Sequence, residues 1–225
     1  MQTEPSFRHF HVQHFCPLAL ALDGIGDHWS FLIVRDLLRE PQRFTDLQRY
    51  LLGITPKRLT VNLRTLESAG IVKRESEAGR REVWYHLTEK GAALGPAIMA
   101  LAVWSLEYNQ RMPLPGERVY PEHMIGFIGA SLNRRGIRLA QPASWVFFFG
   151  EKDVYTISFD GAKWEVSPTG AEHADVSVRT TPEVWANFVL SSELEERQHL
   201  LASMRVSGPE ERVGELLASM RVNDV

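Results

Sequence analysis

Apolar residues along the chain switch between two periods. Over residues 29–39, Phe31, Leu32, Val34, Leu37 and Leu38 recur at helical rather than alternating spacing. Residues 17–27 open on Pro17, which suits a first helical turn. A Thr-x-x-Gln capping box predicts a short helix from Thr45. Thr55 is placed to cap a further helix with Pro56 at its first position, running to about Ala69 and closed by Gly70. Residues 71–76 and 82–87 then read as strands, with Val83, Tyr85 and Leu87 alternating as in a half-buried strand. Thr88 is expected to cap one long helix reaching Arg111. This order predicts a helix-turn-helix followed by a β-hairpin wing.

Pro113, Pro115 and Gly116 break the pattern and predict a stiff connector over 113–119. The expected division is therefore a first domain at 1–112 and a second at 120–225. The second domain starts with a helix at 122–132. Strands are predicted at 145–149, 154–159, 163–166 and 175–179, with Asp160-Gly161 as a hairpin signal. Helices follow at 182–190, 193–202 and 209–220. Strands followed by helices, without alternation, predict an α+β domain with an antiparallel sheet.

The helix from Pro56 has two unlike faces. Leu59, Leu63 and Leu66 share one and dock it on a core. Lys57, Val61, Arg64 and Ser68 fall on the other, flanked by Arg58 and Thr65. Cations, hydroxyls and a small apolar group suit a DNA major groove, although an ordinary solvated face has the same look. Lys73, Arg74, Arg80 and Arg81 gather on and beside the predicted hairpin, where a cationic tip reaches the neighbouring backbone or minor groove. The candidate DNA contacts are Thr55, Pro56, Lys57, Arg58, Thr60, Val61, Arg64, Thr65, Lys73, Arg80 and Arg81. The helix over 89–111 carries two apolar stripes: Leu94, Ile98, Leu101 and Tyr108, then Met99, Val103 and Leu106. Two stripes call for a second partner, either another subunit or the second domain.

Charge sharpens the division. Residues 1–112 hold 14 Lys+Arg against 12 Asp+Glu, and residues 113–225 hold 11 against 16. The first half tolerates a polyanion; the second is poorly suited to one. The chain's 225 residues, 44% hydrophobic and 24% charged, exclude a disordered or collagen-like chain. The longest apolar run, residues 97–104, is too short to cross a membrane. With one cysteine and no secretory pattern at the start, a cytoplasmic setting is expected. No carboxylate pair, activated nucleophile or glycine-rich phosphate loop stands out, so neither an enzyme nor a cofactor is expected.

Several blocks resemble HxlR-type winged-helix regulators: Cys16-Pro17-Leu18-Ala19-Leu20-Ala21-Leu22-Asp23-Gly24-Ile25-Gly26-Asp27-His28-Trp29, residues 53–60, Leu63-Arg64-Thr65-Leu66-Glu67, and Tyr85-His86-Leu87-Thr88-Glu89-Lys90-Gly91. The resemblance covers about 14–106. It implies a homodimeric transcriptional regulator, usually a repressor, that binds paired DNA half-sites. Val61 departs from the polar residue many members carry there. Cys16 matches a position where the family commonly has a cysteine, which in some members senses oxidants; it is a candidate redox sensor. The alternative is a small apolar residue in a dimer interface. His9, His11, His14 and Cys16 crowd together, but no closed ligand spacing supports a metal.

In the second half, Tyr155-Thr156-Ile157-Ser158-Phe159-Asp160-Gly161, residues 175–185 and Met204-Arg205-Val206-Ser207-Gly208-Pro209 resemble the sterol carrier protein type 2 superfamily, over about 120–222. That resemblance implies an apolar ligand tunnel. Trp145, Phe147, Phe149, Tyr155, Ile157, Phe159, Trp164, Trp185 and Phe188 either line such a pocket or fill a plain aromatic core. The heptapeptide Leu200-Leu201-Ala202-Ser203-Met204-Arg205-Val206 recurs at 216–222. Together these features predict a DNA-binding regulator whose second domain takes an apolar effector or braces the dimer. A lipid carrier with a helical appendage is the alternative.

Overall fold

The computed structural model describes residues 16–76, 82–108 and 111–220. Contacts divide the chain into two compact units, residues 1–98 and 99–225. The 113–119 connector lies within the second unit. There Arg111 grips Glu117 through two hydrogen bonds of 2.7 Å, and the Leu114 amide donates to the same carboxylate. The Arg111 hydrogen bonds hold the Glu117 carboxyl down to about 2.

The first unit runs α1 (Pro17–Ile25), α2 (His28–Leu37), β1 (Gln42–Arg43), α3 (Phe44–Tyr50), α4 (Pro56–Ser68), β2 (Val72–Ser76), β3 (Val83–Leu87) and α5 (Glu89–Ala92), then the start of α6 (Gly95–Tyr108). Thr55 caps α4 as expected, its hydroxyl accepting from the Arg58 amide at 3.2 Å, and Pro56 stands in the first turn. Gly70, at φ +68°, turns the chain out of α4 in the left-handed region that favours glycine. Leu59, Leu63 and Leu66 bury their face against Ile33, Val34 and Leu37 of α2, Leu47 of α3 and the wing root at Ile71 and Val72. Burying each leucine contributes about 1.5–3 kcal/mol, which makes this face the anchor of α4. β2 and β3 pair antiparallel from Val72↔Leu87 to Ser76↔Val83, and the short β1 adds to β3 through Gln42↔Tyr85.

Two expectations are corrected here. The capping box at Thr45 does not form: α3 begins at Phe44, with Arg43 before it and no side-chain cap. Pairing of Gln42 and Arg43 with β3 delivers the chain to the helix from a strand, which leaves Thr45 inside the first turn. The single helix over 89–111 is two helices, α5 and α6. Pro96 lacks an amide hydrogen and its ring opposes the carbonyl four residues back, so α5 ends and α6 restarts around it.

The second unit holds the remainder of α6, then α7 (Pro121–Arg134), β4 (Ala143–Phe149), β5 (Asp153–Phe159), β6 (Trp164–Ser167), β7 (Val176–Thr180), α8 (Pro182–Leu190), α9 (Leu194–Ala202), β8 (Arg205–Ser207) and α10 (Glu210–Ser219). The sheet order is β6-β5-β4-β7-β8. The α+β class holds, but the sheet is mixed rather than antiparallel, because β4 and β7 pair parallel from Trp145↔Val176 to Phe149↔Thr180. Period-two alternation specifies which face a residue takes and carries no information on strand direction. Direction is set by the 168–175 crossover, which Thr156 Oγ1 holds through the Thr169 carbonyl at 2.6 Å. Asp175 then ties the starts of the parallel pair, donating its amide to the Ser144 carbonyl and accepting from the Ser144 amide.

One sheet face carries the core of this unit. Trp145, Phe147, Phe149, Ile157 and Phe159 meet Ile125, Ile128 and Leu132 of α7, Trp185 and Phe188 of α8, and Leu216 of α10. On the opposite face Arg179 lies 3.8 Å over the Phe148 ring. The repeated heptapeptide ends a helix on both occasions, and Met204 and Met220 both turn into the core.

Candidate nucleic-acid interface

With its leucines inward, α4 presents Lys57 and Arg64 as exposed side chains, with Val61 half-buried between their turns. Thr55 is exposed and spent as the helix cap. Thr60 donates its hydroxyl to the Pro56 carbonyl at 2.8 Å and Thr65 to the Val61 carbonyl at 3.1 Å. These back-bonds commit the hydroxyl hydrogens, so each oxygen is left to act only as an acceptor. Arg58 behaves differently: it points to the Asp27 carboxylate at the start of α2.

The hairpin sorts its cations by face. Lys73, Glu75, Trp84 and His86 share one side through the pairs Lys73↔His86 and Glu75↔Trp84; Arg74 and Tyr85 share the other. Lys73 is bonded to Glu75 and holds that carboxyl below its usual range. His86 Nε2 lies 3.3 Å from the same carboxylate. Burial, helped by Glu67, pushes the Tyr85 phenol up against the opposing pull of Arg74 and Arg64. Arg74 is exposed on the Tyr85 side of the hairpin, while Lys73 is held by Glu75. Arg80 and Arg81, the wing-tip candidates, lie outside the described residues, as do His9, His11 and His14.

Three features escaped the sequence pattern. Asn62, on α4, is 3% exposed and donates to Ser30 Oγ at 3.1 Å and to Asp27. Arg43 stacks over Trp84 at 4.6 Å and pairs with Glu82 at 2.7 Å, bracing the wing from β1. Gln42 is buried and donates to the Asp36 carbonyl. A two-residue strand is too short for period-two alternation, and a buried asparagine interrupts the apolar pattern instead of reinforcing it.

Cys16 is a free, half-buried thiol at the residue before α1 and makes no capping hydrogen bond. Among the described residues no cluster of His, Cys, Asp or Glu has the arrangement of a metal site. None of their helices is long and apolar enough to cross a membrane.

The nine aromatic and apolar residues singled out in the second half are all buried. Their rings pack on one another: Trp145 on Trp164 and Phe147 on Trp185 at 4.7 Å, Phe159 on Trp164 at 5.0 Å, Trp185 on Phe188 at 5.7 Å. The Trp164 indole donates to the Ile137 carbonyl at 2.8 Å. A small cavity of about 10 Å³ lies elsewhere in this unit, between Leu106, Ile128, Leu132, Val189 and Met220. That is room for about one water.

A helix docked by its leucines, carrying cations outward and followed by a braced hairpin, defines a winged helix-turn-helix DNA-binding regulator. A model described as HxlR-like helix-turn-helix matches residues 24–113. An HTH-type transcriptional regulator of Methanothermobacter thermautotrophicus is 35% identical over 108 residues, covering 47% of this chain and 82% of the relative. The HTH-type transcriptional regulator YdeP of Bacillus subtilis is 34% identical over 98 residues, 43% of this chain and 77% of the relative. The solved structure of the redox regulator HypR in its reduced form is 34% identical, covers 40% of this chain and 90% of its own, and has a TM-score of 0.38. The chain belongs to the HxlR-like helix-turn-helix family of transcriptional regulators.

Proposed function

We propose that the protein is a homodimeric repressor whose α4 enters the major groove of each of two half-sites while the wing follows the adjacent backbone. The observation that carries this is the outward face of α4: exposed Lys57 and Arg64 around Val61, on a helix whose other face is locked by three buried leucines. Val61 fits a thymine methyl, Arg64 a guanine edge, and Lys57, Arg74, Arg80 and Arg81 the phosphates. Thr55, Pro56, Thr60 and Thr65 lie along the same approach. Footprinting on the DNA flanking the coding gene, followed by gel shifts with the protected fragment, tests it. Protection of two half-sites about one helical turn apart is the expected result. No protection anywhere in that DNA sinks the proposal.

Dimerisation is supported by apolar surface left uncovered in the single chain. On α6, Leu101 is 57%, Trp104 46% and Tyr108 69% exposed; on α1, Leu18 is 67% exposed. Apolar rows of this kind mark association surfaces. Val103, in the second predicted stripe, is already buried within the chain.

For the second unit, the ring-on-ring packing favours a structural role. A sterol-carrier-like domain would take its ligand between sheet and helices, and in this chain Trp145, Phe147, Trp164, Trp185 and Phe188 occupy that space. An apolar effector would have to part these rings. A thermal-shift panel of fatty acids and sterols discriminates, because a ligand that binds only the folded state raises the melting temperature.

A further inference from the structure

A single carboxylate ties α2 to α4. Asp27 stands at the start of α2, where Oδ1 accepts from the Ser30 amide at 3.2 Å and from the Asn62 side-chain amide. Its second oxygen, Oδ2, accepts from the Arg58 guanidinium. Arg58 and Asn62 lie four residues apart, about one turn of α4. Two bonds one turn apart fix how α4 is rotated about its own axis, and that rotation decides which atoms of Lys57, Val61 and Arg64 face outward.

The Arg58 side chain is 51% exposed, so solvent and ligands reach it, but its partner is a carboxylate. A phosphate can recruit Arg58 only by leaving Asp27 ionised beside a polyanion. Phosphate cations carry most of the affinity for DNA of any sequence, whereas base contacts depend on the orientation of the helix. We propose that Asp27 withholds Arg58 from the DNA backbone, so that Asp27 lowers binding to non-cognate duplex and sets specificity while Arg58 acts as a positioning residue. This rests on α4 being the DNA-facing helix. It removes Arg58 from the candidate DNA contacts read from the sequence.

The test uses the full chain and a random-sequence duplex, with affinity followed by fluorescence anisotropy as salt is raised. Asp27→Asn keeps an oxygen for Ser30 and Asn62, removes the charge and turns a donor amide toward Arg58 in place of the accepting oxygen. It is expected to bind the random duplex more tightly and to steepen the log–log salt dependence by about 0.9, the signature of one more phosphate contact. Adding Arg58→Ala to that variant returns the slope to the wild-type value. Arg58→Ala alone leaves the wild-type slope unchanged, and this variant decides the matter if Asp27→Asn fails to fold. A slope that Asp27→Asn leaves unchanged, a steep slope that survives in the double variant, or a flatter slope with Arg58→Ala alone overturns the proposal. A wild-type chain with no salt-dependent duplex binding overturns the DNA-facing assignment of α4 first, and this proposal with it.

Discussion

Gly91 abuts the carbonyl of Ile71 so closely that a Cβ built on it would lie 2.1 Å from the oxygen and 3.1 Å from the Leu87 side chain. The contact locks α5 onto the root of the wing, beside the bond from the Thr88 amide to the same carbonyl at 3.0 Å. Because the obstacle is backbone, it cannot swing aside. Gly91→Ala is expected to destabilise the protein by about 1–3 kcal/mol or more, read by denaturant unfolding. Gly24→Ala, which meets nothing within 4 Å, is the matched control.

On α4, Arg64→Ala should cost about 1–3 kcal/mol on the protected operator and relax preference at one base pair. Lys57→Ala and Arg74→Ala should weaken all sequences alike and flatten the salt dependence by about one phosphate each. Gel shifts over a salt series separate the two patterns; equal losses on operator and random DNA for Arg64→Ala would remove it from base readout.

Charging the uncovered row of α6 tests the proposed dimer. Leu101→Glu and Trp104→Glu change exposed positions, so the chain should fold and sediment as a monomer. Val103→Glu instead places an unpaired charge in a buried position and should lower stability outright. Sedimentation and thermal unfolding of the three variants together distinguish assembly from folding. A wild-type monomer would refute the dimer.

In the second unit, Phe147→Ala should cost about 3–5 kcal/mol, since the ring is fully buried against Trp185. An open ligand tunnel predicts a smaller loss, recovered on adding an apolar compound, and the same unfolding experiment run with and without a fatty acid reads the difference.

Acid should weaken the tie between β4 and β7. Burial pushes the Asp175 carboxyl up, but the hydrogen bonds from Arg212 and the Ser144 amide outweigh it, so the group sits below its ordinary value. A carboxyl lowered in the folded state stabilises above its unfolded pKa, and that contribution fades as pH falls toward the lowered value. Melting temperature should therefore drop with pH across that acidic window, and Asp175→Asn should lower it at neutral pH while flattening the acid slope. A parallel acid profile in the variant would count against the tie.

Most of the first unit was legible because its signals are local. The Thr55 cap, Pro56, the leucines at 59, 63 and 66, and Gly70 each specify a step of the chain within a few residues. The errors came where distant partners decide. Thr45 lost its capping role to a strand pairing with residues some forty positions on. The Asp27–Arg58–Asn62 cluster joins two helices through side chains whose identities reveal no partner. In the second unit the buried positions were right, since alternation reports faces, but the parallel pairing of β4 with β7 depends on where a loop crosses. Whether eight buried aromatics and Ile157 enclose space or fill it is a question of ring orientation, which spacing does not carry.

The five-stranded sheet ends in two short strands, four residues in β6 and three in β8. β8 has an exposed arginine at its start, and Gly208, just past its end, lies so near the Asp175 carbonyl that a Cβ would be 2.5 Å from it. An edge this brief, charged and curtailed offers almost no unpaired backbone for another chain to copy. In a unit this rich in buried aromatics, a long open edge would be a template for aggregation, so two short edges leave this sheet little to extend.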